Sequence, residues 1–153
     1  MSLAVGDKAP VFSGTDQDGN KISLKDFKGK KLILYFYPKD DTSGCTAESC
    51  NLRDNRNVFK KKKIQVIGVS ADDEKSHKKF IEKFDLNFPL IADTNKKIIK
   101  DYGVWGEKML YGRKYMGIIR KTFVIDEKGK IEKIFEAVDT KNHSEQILES
   151  YLK

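Results

Sequence analysis

The sequence predicts an α/β fold in which a central mixed β-sheet is covered by helices. Three patterns carry that prediction. Residues 32–37, Leu32-Ile33-Leu34-Tyr35-Phe36-Tyr37, form a continuous apolar run rich in β-formers, the mark of a strand buried on both faces. A second run, Val66-Ile67-Gly68-Val69-Ser70, follows a helical stretch. The two strands therefore make a βαβ unit, parallel and joined by a right-handed crossover. Beyond residue 120, two further β-rich stretches flank Glu127-Lys128-Gly129 and read as a hairpin.

The remaining elements fall between these. Asp16-Gln17-Asp18-Gly19-Asn20 is a turn cluster, and Ile22 and Leu24 alternate with polar neighbours, which predicts an N-terminal hairpin. Pro38 ends the first buried strand, a polar loop follows, and a helix is expected over 44–63 with lysines in its last turn. Helices are expected again over 73–84 and 94–101, on either side of a short strand at 89–92. From 103 to 117 the periodicity is lost and glycines recur, so this stretch reads as a long loop, which in a compact domain is often functional. Strands at 121–126 and 131–138 precede Asn142-His143-Ser144-Glu145, which resembles a capping box for a closing helix whose apolar face is Ile147, Leu148, Tyr151 and Leu152. The order βαβ, further α/β, then ββα is the layout of a thioredoxin-like fold with an added N-terminal β-hairpin. At 153 residues, a single domain spanning 1–153 is expected.

Composition narrows the function. With 39% hydrophobic and 35% charged residues the chain has the core formers of a folded domain, and no apolar stretch is long enough to span a bilayer. The first residues have neither a basic start nor a hydrophobic segment of signal-peptide length, so the expected location is cytoplasmic. The net charge of +7 comes from lysines spread along the chain, and the run Lys60-Lys61-Lys62-Lys63 closes a predicted helix, where cations complement the macrodipole. Nucleic-acid binding is not expected. Two cysteines are too few to staple a domain of this size, and in a reducing compartment a close pair points to catalysis or metal binding.

Cys45 falls where chemistry is expected, in the loop from the carboxyl end of the first buried strand into the next helix. Unpaired N–H groups at a helix start favour thiolate over thiol. An ordinary thiol of pKa ~8.5 is only a few per cent thiolate at pH 7, and a helix end alone does not supply the shift a nucleophile needs. A second cation is required. Arg120, just before the apolar strand, offers a guanidinium that can donate to both the thiolate and a substrate oxygen, although a charged residue at a strand start is as readily a surface group. Thr42 either turns its hydroxyl toward a substrate or caps the helix. Cys50 lies five residues after Cys45. On an ideal helix that spacing separates the Cα atoms by about 8.6 Å, whereas a disulfide needs less than about 7 Å. If the two bond, the first turns must unwind. Otherwise Cys50 is a small buried hydrophobe.

At these residues the chain resembles the peroxiredoxins, and within them the bacterioferritin comigratory protein or peroxiredoxin Q branch. The family pattern Pro-x-x-x-Thr-x-x-Cys is met by Pro38, Thr42 and Cys45; the branch's second cysteine by Cys50; and the family's arginine by Arg120 within Gly117-Ile118-Ile119-Arg120-Lys121-Thr122-Phe123. The segments Tyr35-Phe36-Tyr37-Pro38-Lys39 and Gly103-Val104-Trp105-Gly106-Glu107-Lys108 are similar to this branch as well. The resemblance implies a peroxidase for hydrogen peroxide and organic hydroperoxides. In it Cys45 is the peroxidatic nucleophile, Cys50 the resolving thiol, Pro38 shields the sulfur, Thr42 orients the peroxide and Arg120 stabilises the thiolate. It further implies recycling by thioredoxin or a similar dithiol, no cofactor and no metal, and a monomer or weak homodimer.

Two rival readings use the same residues. A thioredoxin-type thiol-disulfide oxidoreductase expects Cys-x-x-Cys, and the spacing here is Cys-Thr-Ala-Glu-Ser-Cys. A zinc site would draw on Cys45, Cys50, His77 and His143, which lack the close ligand spacings of such sites, and His77 on a charged helix is expected to face solvent.

Overall fold

The computed structural model describes residues 3–152; the outermost residues of the expected domain, 1, 2 and 153, lie outside that range. Five strands form the main sheet: β3 (Lys31–Phe36), β4 (Ile64–Ser70), β5 (Leu90–Ala92), β8 (Lys121–Ile125) and β9 (Ile131–Phe135). Their spatial order is β5-β4-β3-β8-β9, with β3, β4 and β5 parallel and β8 and β9 antiparallel. Two short strands, β1 (Ser13–Thr15) and β2 (Lys21–Ser23), make the expected N-terminal hairpin, closed by Asp16, whose Oδ1 accepts from the N–H groups of Asp18 and Asn20. This is the thioredoxin-like arrangement the element order predicts. Among the described residues, no helix is long and apolar enough to cross a membrane.

Strand β3 sits in the middle because its side chains alternate between two cores. Leu32, Leu34 and Phe36 pack with Ile67, Val69, Phe123 and Tyr102 on one face. Ile33, Tyr35 and Tyr37 pack with Val66 and Val124 on the other, beneath Leu52, Phe59, Phe80 and Ile147 from four helices. Those helices are α1 (Ser43–Asp54), α2 (Arg56–Lys61), α3 (Glu74–Phe84) and α5 (His143–Glu149). The opposite face carries α4 (Lys97–Asp101), which buries Ile98 and Ile99.

The structure corrects the sequence reading in several places. The helix expected over 44–63 is two helices, broken at Asn55, whose side-chain amide donates to the carbonyl of Asn51 and whose backbone leaves helical geometry. The fourth helix starts at Lys97, later than expected, because Lys96 is held in the left-handed region at φ 62°. Residues 103–117, expected as a loop, are a β-ribbon: β6 (Trp105–Leu110) pairs antiparallel with β7 (Arg113–Ile118). Tyr111 (φ 52°) and Gly112 (φ 77°) form its two-residue turn, and positive φ at both positions is what a tight hairpin needs. Its outer half is exposed on both faces, so no alternation of apolar and polar residues is required of it.

The last helix is also capped differently. The Asn142 side chain makes no cap bond; Asn51 of α1 supplies it instead, its Oδ1 accepting from the Ser144 N–H at 2.6 Å. Tyr151 and Leu152, expected on the apolar face of that helix, lie beyond its end and are exposed.

Candidate active site

Strand β3 delivers the chain at Tyr37 to a loop, residues 38–42, that is held from below. The amide of Asp40 donates to Asp72 Oδ2 at 2.8 Å; its carboxylate accepts from the Tyr37 hydroxyl at 2.5 Å and the Ser76 hydroxyl at 2.8 Å, and lies 2.7 Å from His77 Nδ1. His77 Nε2 donates onward to the Ile91 carbonyl at 2.9 Å. This overturns the expectation that His77 faces solvent: the ring is fully buried and ties the loop to α3 and β5. On the outer side Asp41, at φ 60°, pairs with Lys83.

From this anchored loop α1 begins with Thr42 as its N-cap residue, and the Thr46 N–H donates to the Thr42 carbonyl at 2.8 Å. The Thr42 hydroxyl caps no helix N–H. It donates to the carbonyl of Lys39 at 2.9 Å, bracing the loop at the mouth of the site. Pro38, partly buried, stands at the start of the same loop.

Cys45 lies in the first turn of α1 and is completely buried. Arg120, in the short link between β7 and β8, reaches it with Nη2 donating to Sγ at 3.2 Å. The surface reading of Arg120 is thereby excluded. Gly44 makes room for the approach: a Cβ there would stand 3.2 Å from Nη2. A guanidinium bond and the helix start act in the same direction, since both stabilise anionic sulfur.

The other guanidinium nitrogen, Nη1, donates to Glu48 Oε1 at 2.5 Å. Glu48 was not singled out from the sequence, yet it is fully buried. Burial pushes its carboxyl up to about 7 against the opposing pull of Arg120. The signal was available in the spacing: Cys45, Glu48, Ser49 and Leu52 follow i, i+3, i+4, i+7 and form the buried face of α1. Tyr35, whose hydroxyl is 2.8 Å from Ser49 Oγ, packs against that face from β3. Burial raises the Tyr35 phenol well above its ordinary range. Lys108 of the ribbon, donating to the Ile118 carbonyl, is a second cation; burial and then Arg120 lower its pKa, while Cys45 opposes them.

Cys50 is half-buried, its thiol pKa raised by burial first and then by Asp54, with Arg53 opposing. Both cysteines are free thiols on one helix, five residues apart. The rings of His77 and His143 are committed elsewhere, His143 to Thr122 and Gln146, so neither cysteine shares a cluster with a histidine. Among the described residues the close group of metal-ligating side chains is Asp40, Asp72 and His77, away from both thiols.

A buried thiol at a helix start, held by a guanidinium, is the arrangement that the resemblance implies. The AhpC/TSA family model matches residues 5–134. The chain belongs to that family. It is 45% identical to the peroxiredoxin Bcp of Escherichia coli K12 over 146 residues, covering 95% of this chain and 94% of that one. It is 47% identical to a putative peroxiredoxin bcp of Helicobacter pylori J99 over 148 residues, 97% of each chain. Among solved structures, a mutant PrxQ of Xylella fastidiosa superposes with a TM-score of 0.92 at 29% identity, covering 100% of this chain and 99% of that one. A Xanthomonas campestris bacterioferritin comigratory protein, studied for alkyl peroxide reduction, superposes at 0.85 with 31% identity, covering 91% and 88%. As a peroxiredoxin of the Bcp branch, the chain keeps a second cysteine five residues after the first.

Proposed function

We propose that Cys45 is the peroxidatic nucleophile of a thiol peroxidase acting on hydrogen peroxide and organic hydroperoxides. The single observation that carries this is the 3.2 Å bond from Arg120 to the buried Cys45 sulfur at the start of α1. The thiolate attacks the terminal peroxide oxygen, the O–O bond breaks, and the departing oxygen takes a proton to leave as water or alcohol. Arg120 stabilises the thiolate and the charge that moves from sulfur to oxygen. Thr42 holds the loop at the mouth of the site and orients the peroxide, and Pro38 shields the sulfur.

Cys50 then attacks the sulfenic sulfur, forming the S–S bond and releasing water. On a regular helix the Cα atoms of Cys45 and Cys50 are about 8.6 Å apart, beyond disulfide reach, so the first turns of α1 unwind for this step. An external dithiol of the thioredoxin type reduces the bond through a mixed disulfide. A thioredoxin-coupled peroxide assay tests the scheme. Cys45→Ser is expected to show no turnover, and Cys50→Ser to consume one equivalent of peroxide without recycling through an internal disulfide. Normal turnover by Cys45→Ser would end this reading.

A further inference from the structure

Behind Arg120 lies a buried carboxylate oxygen with nothing to bond. Glu48 Oε1 is taken by Arg120, but Oε2 has no hydrogen-bond partner among the described residues. It lies 3.7 Å from Nε2 of His143, which is also fully buried. The tautomer of His143 is fixed by its surroundings. Gln146 donates through Nε2 to the Ala137 carbonyl, so its Oε1, which accepts from the Asp139 N–H, also accepts from His143 Nδ1–H at 2.9 Å. In the neutral ring Nε2 is then a lone pair, which accepts from the Thr122 hydroxyl at 2.8 Å.

An ionised Glu48 would therefore point an unpaired carboxylate oxygen at a lone pair inside the protein. Arg120 touches both Cys45 and Glu48, so a proton on Glu48 leaves the guanidinium charge to the thiolate. Burial lowers the pKa of His143, so the proton resides mainly on Glu48. The other ionisable groups around the pair are Tyr35 from β3, which is neutral, and Asp139 and Glu145, which face His143; Lys108 faces Arg120 and Cys45.

Glu48 lies between Cys45 and Cys50, on the segment that has to unwind. We propose that Glu48 and His143 hold one proton between them while α1 is folded, and that Glu48 gives this proton to water when the helix unwinds to join the two sulfurs. The proposal rests on the unwinding reading of the resolving step and adds a proton to it. Glu48 acts here as a positioning residue: it holds Arg120 and, through its protonation, sets how readily α1 opens.

The sign follows from linkage. In the folded helix the carboxyl sits at about 7; in the open helix it returns to the ordinary range near ~4.3. Its contribution to the folded helix is full below the lower value and is lost as pH rises through about 7, so rising pH favours opening. With an open-state value of 4.5, the open population grows about 40-fold between pH 5 and pH 7.

Two measurements on the full-length chain test this. In amide hydrogen exchange on the reduced protein, corrected for the intrinsic exchange rate, the opening constant for residues 45–50 should rise about 40-fold more in wild type than in Glu48→Gln over that range. The comparison cancels contributions from Cys45. Parallel profiles would overturn the proposal. In reduced-minus-oxidised infrared spectra, a carboxylic-acid carbonyl band should appear for the reduced protein, vanish on oxidation and be missing from Glu48→Gln. Should that variant not fold, glutamate-labelled wild type gives the same reading, and absence of a label-sensitive band would overturn the proposal. If no Cys45–Cys50 disulfide forms on oxidation, the unwinding scheme fails, while exchange in the reduced protein still reports on the proton.

Discussion

Arg120→Lys isolates the part of the site that depends on geometry rather than charge. The guanidinium places two nitrogens on two acceptors, Nη2 on Cys45 Sγ at 3.2 Å and Nη1 on Glu48 Oε1 at 2.5 Å. A lysine ammonium keeps the positive charge but concentrates it on one atom, which cannot reproduce the fork. The substitution therefore removes about one charge-assisted hydrogen bond, worth about 1.5–3 kcal/mol. Since the proposed mechanism uses that bond for both the thiolate and the transition state, kcat/KM for peroxide should fall about 10- to 150-fold. Global stability should change far less, because lysine keeps the positive charge at a side chain that leaves 22% of its surface in water. The assay is stopped-flow oxidation of the reduced enzyme at varied peroxide, with a urea titration as the folding control. An Arg120→Lys protein with wild-type kcat/KM would refute the argument that the fork matters.

Two further substitutions probe the helix. Gly44→Ala should raise the urea midpoint slightly, since alanine gains up to about 1 kcal/mol over glycine in a helix, while lowering the peroxide rate several-fold by crowding Arg120 Nη2; an unchanged rate would show the contact to be slack. Asn51→Ala removes the bonds from its amide to the Lys141 carbonyl and Glu145, and from the Ser144 N–H to its Oδ1. Being half-exposed, they should cost about 1–3 kcal/mol by urea titration.

What was legible in the sequence follows burial. Strands 32–37 and 66–70 were readable because both faces of each are covered, which demands uninterrupted apolar residues. The β6–β7 ribbon was unreadable for the converse reason. Its outer half faces water on both sides, so charges and glycines are tolerated and only the Tyr111-Gly112 turn carries a geometric requirement. In the site, Cys45, Thr42 and Arg120 were visible through motif spacing. Glu48 and His77 were missed because an acidic or basic residue on a charged helix ordinarily faces solvent. Each is matched by a partner remote in sequence, Arg120 for the first and Asp40 for the second; the helical spacing of Cys45, Glu48, Ser49 and Leu52 marks the face of Glu48 but not its partner.

The anchoring of α1 also bears on competition between thiols. The segment carrying both cysteines is pinned before its start by the contacts of Asp40 with His77 and Asp72, and just past Cys50 by the bond from Ser144 of α5 to Asn51. A short stretch fixed at both ends explores little volume when it melts. In the proposed resolving step Cys50 would then meet the sulfenic acid at an effective concentration of order mM, the value for short flexible tethers. A diffusing thiol must approach that concentration, at equal reactivity, before it captures the oxidised enzyme first.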